Sequence, residues 1–313
     1  MRNLGSDPDN QFAKLIIKLL VTVGMMLIAA SAINLELLKR YFHTSLLLPS
    51  VAAVLILTLL SSLHTIRWNA ILGVITGRRF PFGIVSRVVL SSYFFGQIVP
   101  ISVGGDAMRV WWTRRQDVDL STAFNAVILD RVTALVGIAA LMTLTAPLML
   151  QMVTSQAAAW GLALAVGGIY CGLAFLCLAP QVLARGRKLL VIEKLVGLGV
   201  DARSVIAAPL VLLATVGASA LVQACVALIF FLLAVGMGVA LDPLQCLVLI
   251  PPVILISALP ITVAGWGLRE GAMIVALDFV GIPSEAALAL SVIFGLVSLS
   301  VGLIGGLIWM ASK

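Results

Sequence analysis

Apolar residues in this chain fall into long runs, with polar positions confined to short intervals between them. A helix needs roughly 20 residues to cross a hydrocarbon core about 30 Å thick. Runs near 15–35, 46–66, 124–150, 157–179, 205–236 and 287–310 meet that length, and each is expected to be a transmembrane helix. Two further apolar runs, 84–101 and 244–263, are punctuated: the first leads into Pro100 and Gly104-Gly105, the second carries Pro251-Pro252 and Pro260. Proline removes a backbone donor and interrupts the helix, and lipid cannot satisfy the groups that are freed. Such breaks are tolerated only where protein or water surrounds them, so both segments are expected to enter the membrane and turn back.

Composition turns that pattern into a class. With 62% hydrophobic and 11% charged residues, the chain lies far from the roughly 45–50% and about 25% of soluble domains. It reads as a polytopic membrane protein. The net charge of +7 then belongs to loop asymmetry and to attraction for anionic head groups; no nucleic-acid partner is expected. Suppose that the N-terminus is cytoplasmic and that 84–101 returns to the side it left. Only Lys39, Arg40 and Arg269 of the 20 Lys and Arg then lie outside. Full crossing of both punctuated segments would move most of them out, against the positive-inside rule. The expected location is the cytoplasmic (inner) membrane with both termini cytoplasmic. The same count does not decide the second segment, because moving it only exchanges Arg269 for Lys313.

Repetition bears on the second segment. The phrase PISVGGDAMR, Pro100 to Arg109, returns as PITVAGWGLR, Pro260 to Arg269, and each copy follows two crossings and precedes another. A unit with three crossings must be inverted in its second copy, a pattern of many secondary transporters, whose sites form from broken helices of both repeats. The expected fold is therefore an all-α polytopic membrane protein forming a single domain over 1–313. It has two inverted-topology repeats, each of three transmembrane helices plus one re-entrant broken segment: 1–150 with re-entrant 84–105, and 151–313 with re-entrant 244–265.

The phrase carries the candidate chemistry. Pro100 and Gly104-Gly105 build a tight tip, and Asp106 stands where a helix N-cap belongs. Arg109 follows one turn in, and helix N-termini favour anions, so the tip suits a phosphate head group, which guanidinium binds bidentately. Trp111, Trp112, Arg114 and Arg115 fit an interfacial amphipathic helix. In the second copy Trp266 replaces the cap, and Gly265, Gly267, Arg269 and Glu270 complete the candidate set; the Arg-Glu pair reads equally as a gate or a neutralised anchor. Asp130-Arg131 is the other ionisable pair below head-group depth, read as a structural ion pair or a proton site. Gln97 is placed to hydrogen-bond substrate or to cross-link helices, and Arg67-Trp68 reads as an interface anchor.

Other chemistries are set aside. No GxxxxGK[ST] occurs, so no intrinsic ATPase is expected. Only His43 and His64 are present, and Cys171, Cys177, Cys225 and Cys246 sit in apolar runs without metal spacing; no metal or other cofactor is expected. Gly302-x-x-x-Gly306 reads as close helix packing. The N-terminus has the outline of a signal peptide with Ala30-Ser31-Ala32 as a cleavage site, but the repeat needs that segment as its first crossing.

GQIVPISVGGDAMR, a basic helix, AVILDR, and LPITVAGWGLRE together resemble the flippase-like domain family, also called the lysylphosphatidylglycerol synthase transmembrane region, across essentially the whole chain. The resemblance implies lipid movement across a membrane: aminoacylated phosphatidylglycerol in the bifunctional synthases, polyprenyl-linked sugars or hopanoid-type lipids in some stand-alone relatives. It places family positions at Gly104, Gly105, Asp106, Arg109 and Arg131, and at Pro260, Gly265, Gly267, Arg269 and Glu270. The soluble aminoacyl-transferring domain of the synthases is not present before the chain stops at Lys313, so lysyl transfer is not expected. The expected function is a non-enzymatic flippase for an anionic lipid. An enzyme acting on a lipid carrier, and a non-transporting partner of a glycosyltransferase or lipid-modifying enzyme, are the alternatives.

Overall fold

The computed structural model describes residues 41, 43–98, 104–153, 155–183, 190–259, 261–262 and 265–312; the crossing expected at 15–35 lies outside them. Every regular element among the described residues is helical. Five helices are long and apolar enough to cross a membrane: α1 (Leu47–Thr76, entered through a 3-10 turn at Thr44–Leu46), α4 (Leu120–Met152), α5 (Gln156–Val182), α7 (Pro209–Gly236) and α10 (Ser284–Ala311). Between them stand the shorter α2 (Phe82–Ile98), α3 (Gly104–Arg114), α6 (Leu190–Ile206), α8 (Pro243–Ser257) and α9 (Leu268–Asp278).

Local sequence sets several starts. Asp119 accepts the Thr122 amide at 2.9 Å at the head of α4. Asp242 accepts the Leu244 amide at 2.7 Å, while Gln245 accepts the Asp242 amide at 2.9 Å, which closes the first turn of α8 from both directions; these bonds satisfy donors that a helix start leaves orphaned. The crossing expected over 205–236 begins only at Pro209, and α6, which carries Glu193, Lys194, Asp201 and Arg203, is a separate helix before it. Proline at the first helical position gives up no bond, so Pro209 starts a new helix instead of continuing the old one. Pro251 and Pro252 lie inside α8 and do not end it; the expected break falls later, after Ser257.

The order of a long helix, two short helices and a long helix occurs twice, as α1 to α4 and as α7 to α10. The packing follows an exchange of the two sets: α2 lies on α10 and α8 on α4, while α1 and α7 pack on each other. Because these helices are apolar on all sides, small residues decide which faces meet. Gly137 on α4 seats against Ser219 of α7, and a methyl group there would run into its side chain. Gly305 on α10 lies against the Leu90 carbonyl of α2, and Gly302 faces Gln97. The largest apolar cluster gathers α1, α7, α8 and α10, with Phe230 stacked on Phe294 at 4.4 Å between ring centroids.

Candidate functional site

The helix α3 already begins at Gly104, so Asp106 lies inside its first turn and is not the cap that the sequence suggested. Its carboxylate instead holds Arg131 of α4 at 2.5 Å and stands 3.4 Å from Arg109. The glycines of the phrase serve close approach. A Cβ on Gly105 would sit 2.5 Å from the Ser92 carbonyl of α2, so only glycine lets α3 fold back this tightly. The second copy repeats the device: Gly265, at φ 78°, would bring a Cβ to 2.9 Å from the Ser257 carbonyl of α8.

Arg67 and Trp68 form no interface anchor. Arg67 is 5% exposed and Trp68 fully buried. A guanidinium at that depth needs a counter-ion, and Asp130 supplies it, accepting from Arg67 Nε at 2.6 Å and from its second terminal nitrogen at 3.0 Å. Arg109 donates at 2.7 Å to Asp130 Oδ2, the oxygen that also accepts from the Arg67 terminal nitrogen, and Arg67 also donates to Ser219 of α7 at 3.1 Å. Asp130 and Arg131 are therefore not a pair with each other. They are adjacent on a helix, so their side chains diverge, and each finds its partner on another element. Trp112 likewise turns inward, packing against Trp68 and Phe80, while Trp111 stays exposed under Arg115, whose guanidinium carbon lies 4.2 Å from its ring centroid.

In the second half Gly267, at φ 87°, precedes α9, and Glu270 accepts its amide at 2.5 Å. Arg269 donates to Glu270 at 2.9 Å and to Ser291 of α10 at 3.0 Å, and Ser291 donates to Glu270 at 2.8 Å. The guanidinium also lies against the rings of Trp266 and Phe294, 4.9 and 5.5 Å from their centroids. The Arg269–Glu270 pair is buried to 5% and 1% exposure, and each residue has a further hydrogen-bond partner besides the other.

These two clusters open onto one cavity of about 480 Å³. Of the residues singled out in the sequence, Gln97, Gly105, Asp106, Arg109, Asp130, Arg131, Gly265 and Arg269 line it; Gly104, Gly267 and Glu270 stand behind that wall. His64, Arg67, Tyr93, Ser219 and Gln223 line it too and went unremarked or misread. Polar side chains in the middle of otherwise apolar runs were the available signal for Arg67 and Gln223; nothing in the sequence marks Ser219 or Tyr93. Among the described residues no group of His, Cys, Asp and Glu is arranged to hold a metal.

Residues 15–306 match the family described as the lysylphosphatidylglycerol synthase TM region, and the chain belongs to that family. Membership indicates a membrane-lipid-related function. No curated protein matches the chain.

Proposed function

We propose that this member of the lysylphosphatidylglycerol synthase transmembrane-region family passes an anionic lipid between the leaflets of the cytoplasmic membrane. The observation that carries the proposal is that Arg109 and Arg269, which close the two copies of one phrase, line the same cavity. Its volume of about 480 Å³ lies within the roughly 300–1,000 Å³ of small-molecule sites, enough for a head group while the acyl chains remain in lipid. Guanidinium is suited to phosphate oxygens, and a phosphate arriving in the cavity competes with Asp130 for Arg109.

The twofold order of elements, with α2 on α10 exchanging for α8 on α4, supports two repeats of inverted topology with re-entrant segments 84–105 and 244–265. In that arrangement the breaks reach the cavity from opposite leaflets, and exposing them alternately passes the head group through. With no nucleotide-binding motif in the sequence, the lipid moves down its own gradient or with a coupled ion. The protein leaves the lipid chemically unchanged.

Purified protein in liposomes is expected to move an acyl-labelled anionic lipid faster than protein-free liposomes do, and Arg109→Ala to slow it. Rates equal to those of empty liposomes across a broad panel of anionic lipids would overturn the proposal.

A further inference from the structure

Polar groups buried without partners are costly, so their placement is informative. Among the described residues the buried side-chain atoms without a hydrogen bond include Asp106 Oδ1, Arg109 Nε and Gln223 Oε1. All three residues line the cavity. Gln223, 9% exposed like Asp106, stands apart because it is uncharged and sits near the middle of the apolar helix α7. Its neighbour one turn earlier, Ser219, is occupied by the Arg67 guanidinium and the Thr215 carbonyl, whereas Gln223 Oε1 has no hydrogen-bond partner.

The charges around the cavity narrow the ligand further. Arg67, Arg109, Arg131 and Arg269 face Asp106 and Asp130, with Glu270 paired directly behind Arg269. Among the described residues, four guanidiniums against three carboxylates leave one positive charge, which balances a single phosphodiester and falls short of a diphosphate. The unpartnered amide oxygen of Gln223 calls for a donor, and the alcohol of a hydroxylated head group supplies one.

We infer that Gln223 forms a head-group subsite beside the phosphate position, and that the cavity selects a singly charged phosphodiester lipid whose head group carries a hydroxyl. This rests on the transport reading above and deepens it by naming the lipid class. Gln223 is a specificity-determining residue of the site.

The test compares two lipids of equal charge, phosphatidylglycerol and phosphatidylethanol, each labelled on an acyl chain and reconstituted with the wild-type protein. Only the first carries head-group hydroxyls. Phosphatidylglycerol is expected to cross faster by about tenfold, the size of one buried hydrogen bond. In Gln223→Leu the two lipids are expected to cross at equal rates, and a monodisperse size-exclusion peak for the purified variant shows that it is folded. Equal wild-type rates for the two lipids would overturn the subsite while leaving anionic lipid transport standing. A preference that survives in Gln223→Leu would overturn the role of Gln223. Movement of neither lipid would overturn the transport reading and the subsite with it.

Discussion

Asp130 is the position at which removing one atom's charge does most harm. It is 1% exposed and accepts three hydrogen bonds from guanidiniums, at 2.6 and 3.0 Å from Arg67 and at 2.7 Å from Arg109. In Asp130→Asn the volume is kept, but the buried Arg67 and the half-buried Arg109 lose their shared counter-ion; Arg67 is left with Ser219 alone, and Arg109 with the more distant Asp106. Breaking a buried pair by removing one partner costs about 3–5 kcal/mol, and the amide oxygen that remains favours the lower end. For a chain of this size that corresponds to a drop in melting temperature on the order of 10 °C. The measurement is the temperature at which the detergent-purified protein loses its monodisperse peak on size-exclusion chromatography. Because the damage comes from unpaired charge, Arg67→Met added to Asp130→Asn should recover part of the loss. An unmoved melting temperature in Asp130→Asn, or a double variant worse by the full sum of the two singles, would refute the reasoning.

The remaining predictions concern packing, a cap and topology. A methyl group at Gly305 meets the Leu90 backbone carbonyl, whereas one at Gly302 crowds the flexible Gln97 side chain and touches the Tyr93 carbonyl only at ordinary van der Waals distance; Gly305→Ala should cost about 1–3 kcal/mol by overpacking and Gly302→Ala far less, read by the same thermal assay, and equal effects would count against close approach of α10 to α2. The Asp119 carboxylate is held below its usual range by hydrogen bonds from Thr122, so its contribution is complete above the ordinary Asp value and is lost as pH falls through the lowered one. Asp119→Ala should therefore cost about 1 kcal/mol near neutral pH, and the stabilities of variant and wild type should converge in acid; a difference that grows in acid would contradict the cap. With the four native cysteines replaced, a membrane-impermeant maleimide should label Ala107→Cys from the cytoplasmic side and Ile261→Cys from the other. Both positions are exposed, unlike Gly267, which is buried at φ 87°. Labelling of both from one side would rule out inverted repeats.

The run lengths alone determined that this is a polytopic helical membrane protein, and they located α1, α4, α5, α7 and α10 to within a few residues at most ends. The echo of Pro100–Arg109 in Pro260–Arg269 also marked Arg109 and Arg269, which line one cavity. Both are one-dimensional signals: hydrophobic length and repetition need no knowledge of neighbours. What the sequence left open was the direction in which side chains point. A helix that is apolar on every side has no face that announces itself, so Arg67 reads as an anchor until α4 brings Asp130 to it, and Asp130 reads as the partner of Arg131 until the turn of the helix sends them apart. Gln223, distant in sequence from every residue of the first phrase, acquires meaning only where α7 packs between α1 and α4. Inward faces here are chosen by close seats at glycines such as Gly105, Gly137 and Gly305 and by the need of buried charges for counter-ions. Both are properties of pairs of helices, and they come into being only when the chain is packed.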